Sequence, residues 1–139
     1  MKLYSLKFDG SWIDKNRHYI PNYSGVYLVY RGIHNAAAQT LNCNEILYIG
    51  QAKDVRQRLS NHEKRAAFIN ELQTGEILFY SCAKVPLEDL DRVENALIYK
   101  MKPRINDKLK EEFLYPITRI VSEGACALLN KDFTLDNGI

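Results

Sequence analysis

Cysteine is scarce in this chain: three residues, Cys43, Cys82 and Cys126, odd in number and widely spaced. That excludes a disulfide framework and a CxxC metal pair, and fits reduced thiols in a cytoplasm. No apolar run approaches the ~18 residues of a membrane span. The opening stretch MKLYSLKFDGSWID has no apolar core before its first acid, which speaks against a secretory leader. Charge of one sign is lacking too. Nineteen Lys and Arg against seventeen Asp and Glu leave a net +2, too little by itself to indicate a polyanionic partner. Internal repeats, low-complexity tracts, zinc-finger spacings and helix-turn-helix patterns are all missing. What remains is a soluble globular composition, 46% hydrophobic and 26% charged. At 139 residues it suits one domain that buries its own core.

The distribution of charge is more informative than its sum. Residues 1–31, 48–65 and 92–110 carry five, five and six Lys or Arg against two acids each. Residues 66–91 carry one Lys and five acids. The basic segments are also those that hold the residues singled out below, so a local phosphate-facing patch is expected rather than three unrelated solvated faces.

Residues 1–24 read as an irregular N-terminal extension, in which Leu3 to Phe8 could add an edge strand. GVYLVYRG (25–32) reads as a strand, with Tyr27 and Val29 on one face and Val26, Leu28 and Tyr30 on the other. Residues 33–44 form a connection to a second strand, EILYIG (45–50), where Ile46 and Tyr48 are expected to point the same way. The short connection favours antiparallel pairing, which could bring Tyr27 and Tyr48 together. One helix is expected from about Asp54 to Ile69, with Val55, Leu59, His62, Ala66 and Ile69 as its apolar stripe and Arg58 on the margin. EILFYSCAKV (76–85) reads as a third strand. PLEDLDRVENALIYKMK (86–102) reads as a helix opened by Pro86 and closed by Lys102 before Pro103. A loop, with room for a short helix, follows. YPITRIVSEGACALLN reads as a hairpin turning at Ser122–Gly124, and the last nine residues as frayed.

Chemistry-bearing residues interrupt these patterns. Glu94 falls inside the apolar stripe of its helix, where a carboxylate loses several kcal/mol of hydration unless it is partnered. Two readings stand side by side: an ion pair with Arg58 or Lys102, or a ligand for a hard divalent cation, which uses one or two carboxylates plus water and phosphate oxygens. His62 on an apolar face reads first as a satisfied core residue. Its i,i+4 relation to Arg58 would put both side chains over one turn, where an arginine can stabilise charge on a reacting phosphate. A tyrosine with an ordinary pKa of ~10 serves as a base only if donors, a cation or a proton-accepting histidine support its phenolate. That requirement explains a cluster.

GVY at 25–27, YIG at 48–50, Arg58, His62, Glu94 and Asn106 together resemble the GIY-YIG nucleases. The resemblance spans about residues 25–107, with the remaining 1–24 and 108–139 as extensions, in a stand-alone single-domain member. It implies an α/β fold of α+β type: a central three-stranded antiparallel sheet flanked by helices, with a C-terminal hairpin added. It implies hydrolysis of DNA phosphodiesters using one Mg²⁺ or Mn²⁺. Carried over by position, Tyr27 would be the general base, assisted by Tyr48 and His62. Arg58 would bind the scissile phosphate and Glu94 the metal. Asn106 and Gly25 would support the site, and Gly50 would permit a tight turn. Lys53, Arg56, Lys64, Arg65, Lys102 and Arg104 are the expected DNA-binding cations.

Members of that family usually draw specificity from a further DNA-binding domain or a partner subunit. No motif of that kind is present here, so a partner protein or a second copy is expected to supply grip, with modest, salt-sensitive affinity otherwise. A divalent-metal-dependent DNA endonuclease in the cytoplasm is the first reading, with DNA repair, mobile-element, restriction and defence roles all left open. A catalytically weak nucleic-acid-binding module acting with a partner is the alternative. A protein-interaction domain with structural tyrosines ranks third.

Overall fold

In the computed structural model, which describes residues 1–138, GVYLVYRG opens an eleven-residue strand, β2 (Gly25–Asn35). A turn at 36–39 returns it into β3 (Thr40–Ala52), and the two pair antiparallel with Tyr27 opposite Gly50. The segment expected as a connection is thus the far half of a long hairpin. β4 (Ile77–Lys84) lines the other edge of β2, also antiparallel.

The sheet does not stop at three strands. Its order is β3-β2-β4-β1-β5-β6, six strands in all, where β1 is Lys2–Ile13, β5 is Thr118–Gly124 and β6 is Asp132–Leu135. β1 pairs antiparallel with β4 and parallel with β5. The lead-in, expected as irregular with at most an edge strand over Leu3 to Phe8, thus contains a twelve-residue strand that is interior. Tyr4, Leu6 and Phe8 alternate inward with exposed Ser5 and Lys7 between them, the period-2 pattern of a strand. The C-terminal hairpin is real but turns later than expected. β5 runs through Ser122–Gly124, and residues 125–131 carry the chain to β6, which occupies part of the supposedly frayed end. Ile139, the end of the expected 108–139 extension, lies outside the described residues.

Helices cover both faces. α1 (Val55–Ser60) and α2 (Arg65–Asn70) bury Val55, Leu59 and Phe68 against Tyr27, Val29, Leu78 and Tyr80. α3 (Leu90–Met101), entered through a 3-10 turn at Leu87–Asp89, buries Val93, Ala96 and Leu97 against Val26, Leu28, Ile49 and Phe79. It ends at Lys102, in the left-handed region, before Pro103. No helix forms in the loop after it. The expected single helix over 54–69 is two. Asp54 caps α1 by accepting from the Gln57 N–H at 3.0 Å, and Asn61 leaves helical geometry at its end. The N–H groups of Val55 and Arg56 donate to Tyr23 and Pro21 carbonyls, so the 20–23 segment also caps α1.

Two further details position the site. β3 carries a bulge where Val29 faces Tyr48 but Tyr30 faces Ile46, skipping Leu47. Ile46 consequently joins the α3 side and Tyr48 the α1 side, contrary to the expected common face. β3 is also an edge strand, so groups from both layers meet at its open side. No helix of the described residues is long and apolar enough to cross a membrane.

Because β1 joins β4 to β5, removing residues 1–13 should abolish the cooperative thermal transition followed by circular dichroism. A truncated chain that still melts cooperatively near the native temperature would contradict this placement.

Candidate active site

Tyr27 and Gly50 are cross-strand partners, and the phenol lies over the glycine. A Cβ at Gly50 would stand 2.3 Å from Tyr27 Oη and 2.4 Å from Cζ. Gly50 is therefore required by close approach inside a strand. The expected tight turn is not there. Gly25 is similarly confined, since a Cβ would stand 2.2 Å from the Ala83 carbonyl oxygen.

His62 lies in the bend between α1 and α2, not on the stripe of a helix, so its expected i,i+4 relation to Arg58 does not exist. Leaving the helix lets the ring tuck among Tyr27, Tyr48 and Phe68, with centroids 5.8, 5.4 and 5.0 Å away. The ring is buried, and burial lowers its pKa to about 4, with Arg58 adding to the effect. It is neutral near pH 7. The Lys64 backbone N–H donates to Nδ1 at 3.0 Å. A nitrogen that accepts carries no proton, so the hydrogen sits on Nε2 and is donated to Tyr27 Oη across 2.8 Å. In this state His62 supports a phenolate by donation and does not take the tyrosine's proton.

Tyr27 is 1% exposed. Burial pushes its phenol well above the usual range, Tyr48 and Glu94 push the same way, and Arg58 opposes them. Tyr48 is half-buried and stacks at 6.3 Å from Tyr27. It borders a cavity of about 320 Å³ shared with Glu63, Lys64, Glu94, Asn106 and Lys108. Arg58 and Lys53 line an adjoining groove with Gln51.

Glu94 reaches this cleft from α3 around the edge of β3. It is half-buried, and burial raises its pKa. Neither expected cation reaches it. Arg58 forms a fork with Glu63, while Lys102 donates to the Lys110 carbonyl and sits 4.0 Å over the Tyr99 ring. The hydrogen-bond partner of Glu94 is the neutral Gln51 amide, whose Nε2 is 3.1 Å from Oε1 and also donates to Asp91 Oδ1 at 2.6 Å. Asn106, buried in the loop after α3, clamps the edge strand beneath. Its Oδ1 accepts from Ile49 N at 3.0 Å and its Nδ2 donates to Ile49 O at 2.8 Å.

The expected DNA-binding cations divide. Lys53 and Lys64 border the cleft, the latter 3.1 Å from Asp107. Arg56 Nε donates to the Ile20 carbonyl, Arg65 is fixed on Asp14, and Arg104 spans Glu45 and Glu71. Sequence reading missed Gln51, Glu63, Lys108 and Asn95. Asn95 is a buried amide that donates to the Leu109 and Glu112 carbonyls and accepts from Leu114 N. Its adjacency to Glu94 within an apolar stripe was the available signal.

The folded pKa of His62 lies below the ~6.5 of an unfolded chain, so the unfolded state binds the extra proton between those values. Stability from this ring is complete above about pH 6.5 and is lost as pH falls toward about 4. The loss reaches up to about 3 kcal/mol. Urea melts of the native protein should show this decline, and His62→Gln should lack it. Parallel pH profiles for the two proteins would exclude the buried neutral ring.

No protein-family model matches the chain, and no solved structure does. Curated relatives do. UvrABC system protein C of Fervidobacterium nodosum is 31% identical over 109 residues, covering 75% of this chain and 17% of that protein. The Thermosipho africanus protein of the same name is 36% identical over 84 residues, covering 57% and 14%. That of Fusobacterium nucleatum is 32% identical over 108 residues, covering 75% and 16%. The chain spans about a sixth of the length of these relatives. The matches support a GIY-YIG-like domain, and they leave its expected stand-alone character without support.

Proposed function

We propose that this chain is a divalent-metal-dependent DNA endonuclease domain. The observation that carries the reading is Glu94: a half-buried carboxylate on the cleft, beside Tyr48, with no Lys or Arg pairing it among the described residues. A desolvated acid that hydrogen-bonds a neutral amide, with the Asp91 carboxylate nearby, is an environment a hard cation would complete. Among the described residues no three His, Cys, Asp or Glu side chains converge. Glu94 would be the side chain that holds a single Mg²⁺ or Mn²⁺. When bound, the ion would supply Lewis-acid stabilisation of charge on the phosphate.

The chain's own residues would do the rest. Arg58, at the border of the groove, would hold a non-bridging phosphate oxygen with its fork. Tyr27, as the phenolate left once its own proton has passed to water, would accept the proton of the attacking water. Its phenolate would be supported by the fixed Nε2–H of His62 and by the nearby Arg58 charge. Tyr48 would wall the cleft beside Glu94 and pack against the Tyr27 ring. Asn106 and Gly50 would hold the edge strand and the phenol in register. Lys53, Lys64 and Lys108 would track the backbone on either side, with other cations and any partner protein or second copy adding affinity. The likeness to UvrABC system protein C supports a repair setting for such incision.

Nicking of supercoiled plasmid with Mg²⁺, Mn²⁺ or EDTA tests the reading. Glu94→Ala should lower the nicking rate roughly a thousandfold while leaving DNA affinity in EDTA nearly unchanged. Tyr27→Phe, which removes only the hydroxyl, should cost about 10²–10⁴-fold. Metal-dependent nicking that survives Glu94→Ala would refute the metal assignment, and a native rate in Tyr27→Phe would require another base.

A further inference from the structure

The side chain assigned to the phosphate is already engaged. Arg58 Nη2 donates to Glu63 Oε1 at 2.7 Å, and Nη1 donates to the other oxygen of the same carboxylate. Glu63 follows His62 in the bend between α1 and α2 and borders the same cavity as Tyr48 and Glu94. Arginine raises no geometric distinction here, because a carboxylate offers two oxygens to the fork much as a phosphate does. The pair is also open to exchange. The Arg58 and Glu63 side chains are 33% and 61% exposed, so water and incoming anions reach both.

We propose that Glu63 is a specificity-determining residue, its carboxylate holding the place of a phosphate on Arg58 until a nucleic-acid strand displaces it. The inference rests on the reading of Arg58 as the phosphate binder. A single phosphate entering the fork trades one charge-assisted pair for another and gains little. A strand presents neighbouring phosphates at the same time; Lys53 lines the groove that holds Arg58, and Lys108 lines the cavity that Glu63 borders. Among the described residues neither lysine is in an ion pair, so both can meet those phosphates without breaking one. Glu63 thereby selects for polyanions anchored along the cleft and against isolated anions. Its carboxylate stays ionised throughout, since Arg58 holds it far below the usual range, at about 2. Ordinary pH changes therefore leave the competition in place, and only ligand relieves it.

The test is a double-mutant cycle on native protein, Glu63→Gln, Arg58→Ala and the double variant. Affinity for a short labelled duplex is read by fluorescence anisotropy in EDTA, with inorganic phosphate as competitor. Glu63→Gln should bind the duplex on the order of fivefold more tightly, the scale of one exposed ion pair removed as a competitor. It should also become more sensitive to inorganic phosphate than the native protein. Both changes should vanish in the Arg58→Ala background. Equal or weaker duplex binding by Glu63→Gln would overturn the proposal, showing that Glu63 merely orders the arginine. A gain that persists with Arg58→Ala would overturn it too, as a general charge effect. Nicking is scored separately. The affinity gain without metal-dependent nicking would sink the nuclease reading alone, and nicking without the gain would sink the role of Glu63 alone.

Discussion

The phenol of Tyr27 lying across Gly50 is the contact from which the candidate site is built. The ring occupies the volume where any other residue at position 50 would place its Cβ. That close approach holds the oxygen within reach of His62, and the histidine can get there only because the chain leaves helical geometry after Ser60. The bend costs helix continuity, with two six-residue helices where one long helix would be favoured by cooperativity. Burial of Val55, Leu59 and Phe68 on the sheet offsets that cost. The tautomer of His62, the burial of Tyr27 and the identity of residue 50 are thus one linked constraint.

The electrostatics around this centre are unevenly resolved. Most charged groups near it have partners: Arg58 with Glu63, Lys64 with Asp107, Arg65 with Asp14. Glu94 does not. A protein that pairs nearly every partly buried charge and leaves one desolvated carboxylate to a neutral amide has set a local imbalance, and such imbalances cluster where a site must bind something. The edge position of β3 explains how Glu94 on one layer can share a cleft with Tyr48 on the other. Asn106 then satisfies backbone groups that an open edge would leave to solvent.

How much of this was legible depends on whether a residue's partner is local. The strands carrying Tyr27 and Tyr48, their antiparallel pairing, the helix carrying Glu94 and its stop before Pro103 follow from periodicity and turn chemistry over short windows. β1 showed only as an optional edge strand over Leu3 to Phe8, because its interior place depends on partners more than sixty residues away. The break at Asn61 has no proline or glycine to announce it; it is the tertiary demand of the His62 ring that overrides helix propensity. Gly50 was flagged for the wrong physical reason, since a turn and a close approach both call for glycine. Glu63 and Gln51 gave no sign, as each is an ordinary polar residue until its cross-chain partner is placed.

The parallel pairing of β1 with β5 has a kinetic consequence. The hairpin of β2 and β3 closes a four-residue turn, and β4 joins β2 across a shorter sequence separation than either partner of β1. β1 instead must wait for residues 118–124 before both its edges are satisfied. Such non-local closure is slow relative to local pairing. Although β1 precedes the other strands of this sheet in the chain, it is consequently among the last of them to be locked. Until then its Tyr4, Leu6 and Phe8 face remains open to other chains, and the half of the sheet holding the tyrosines assembles ahead of the half that completes it.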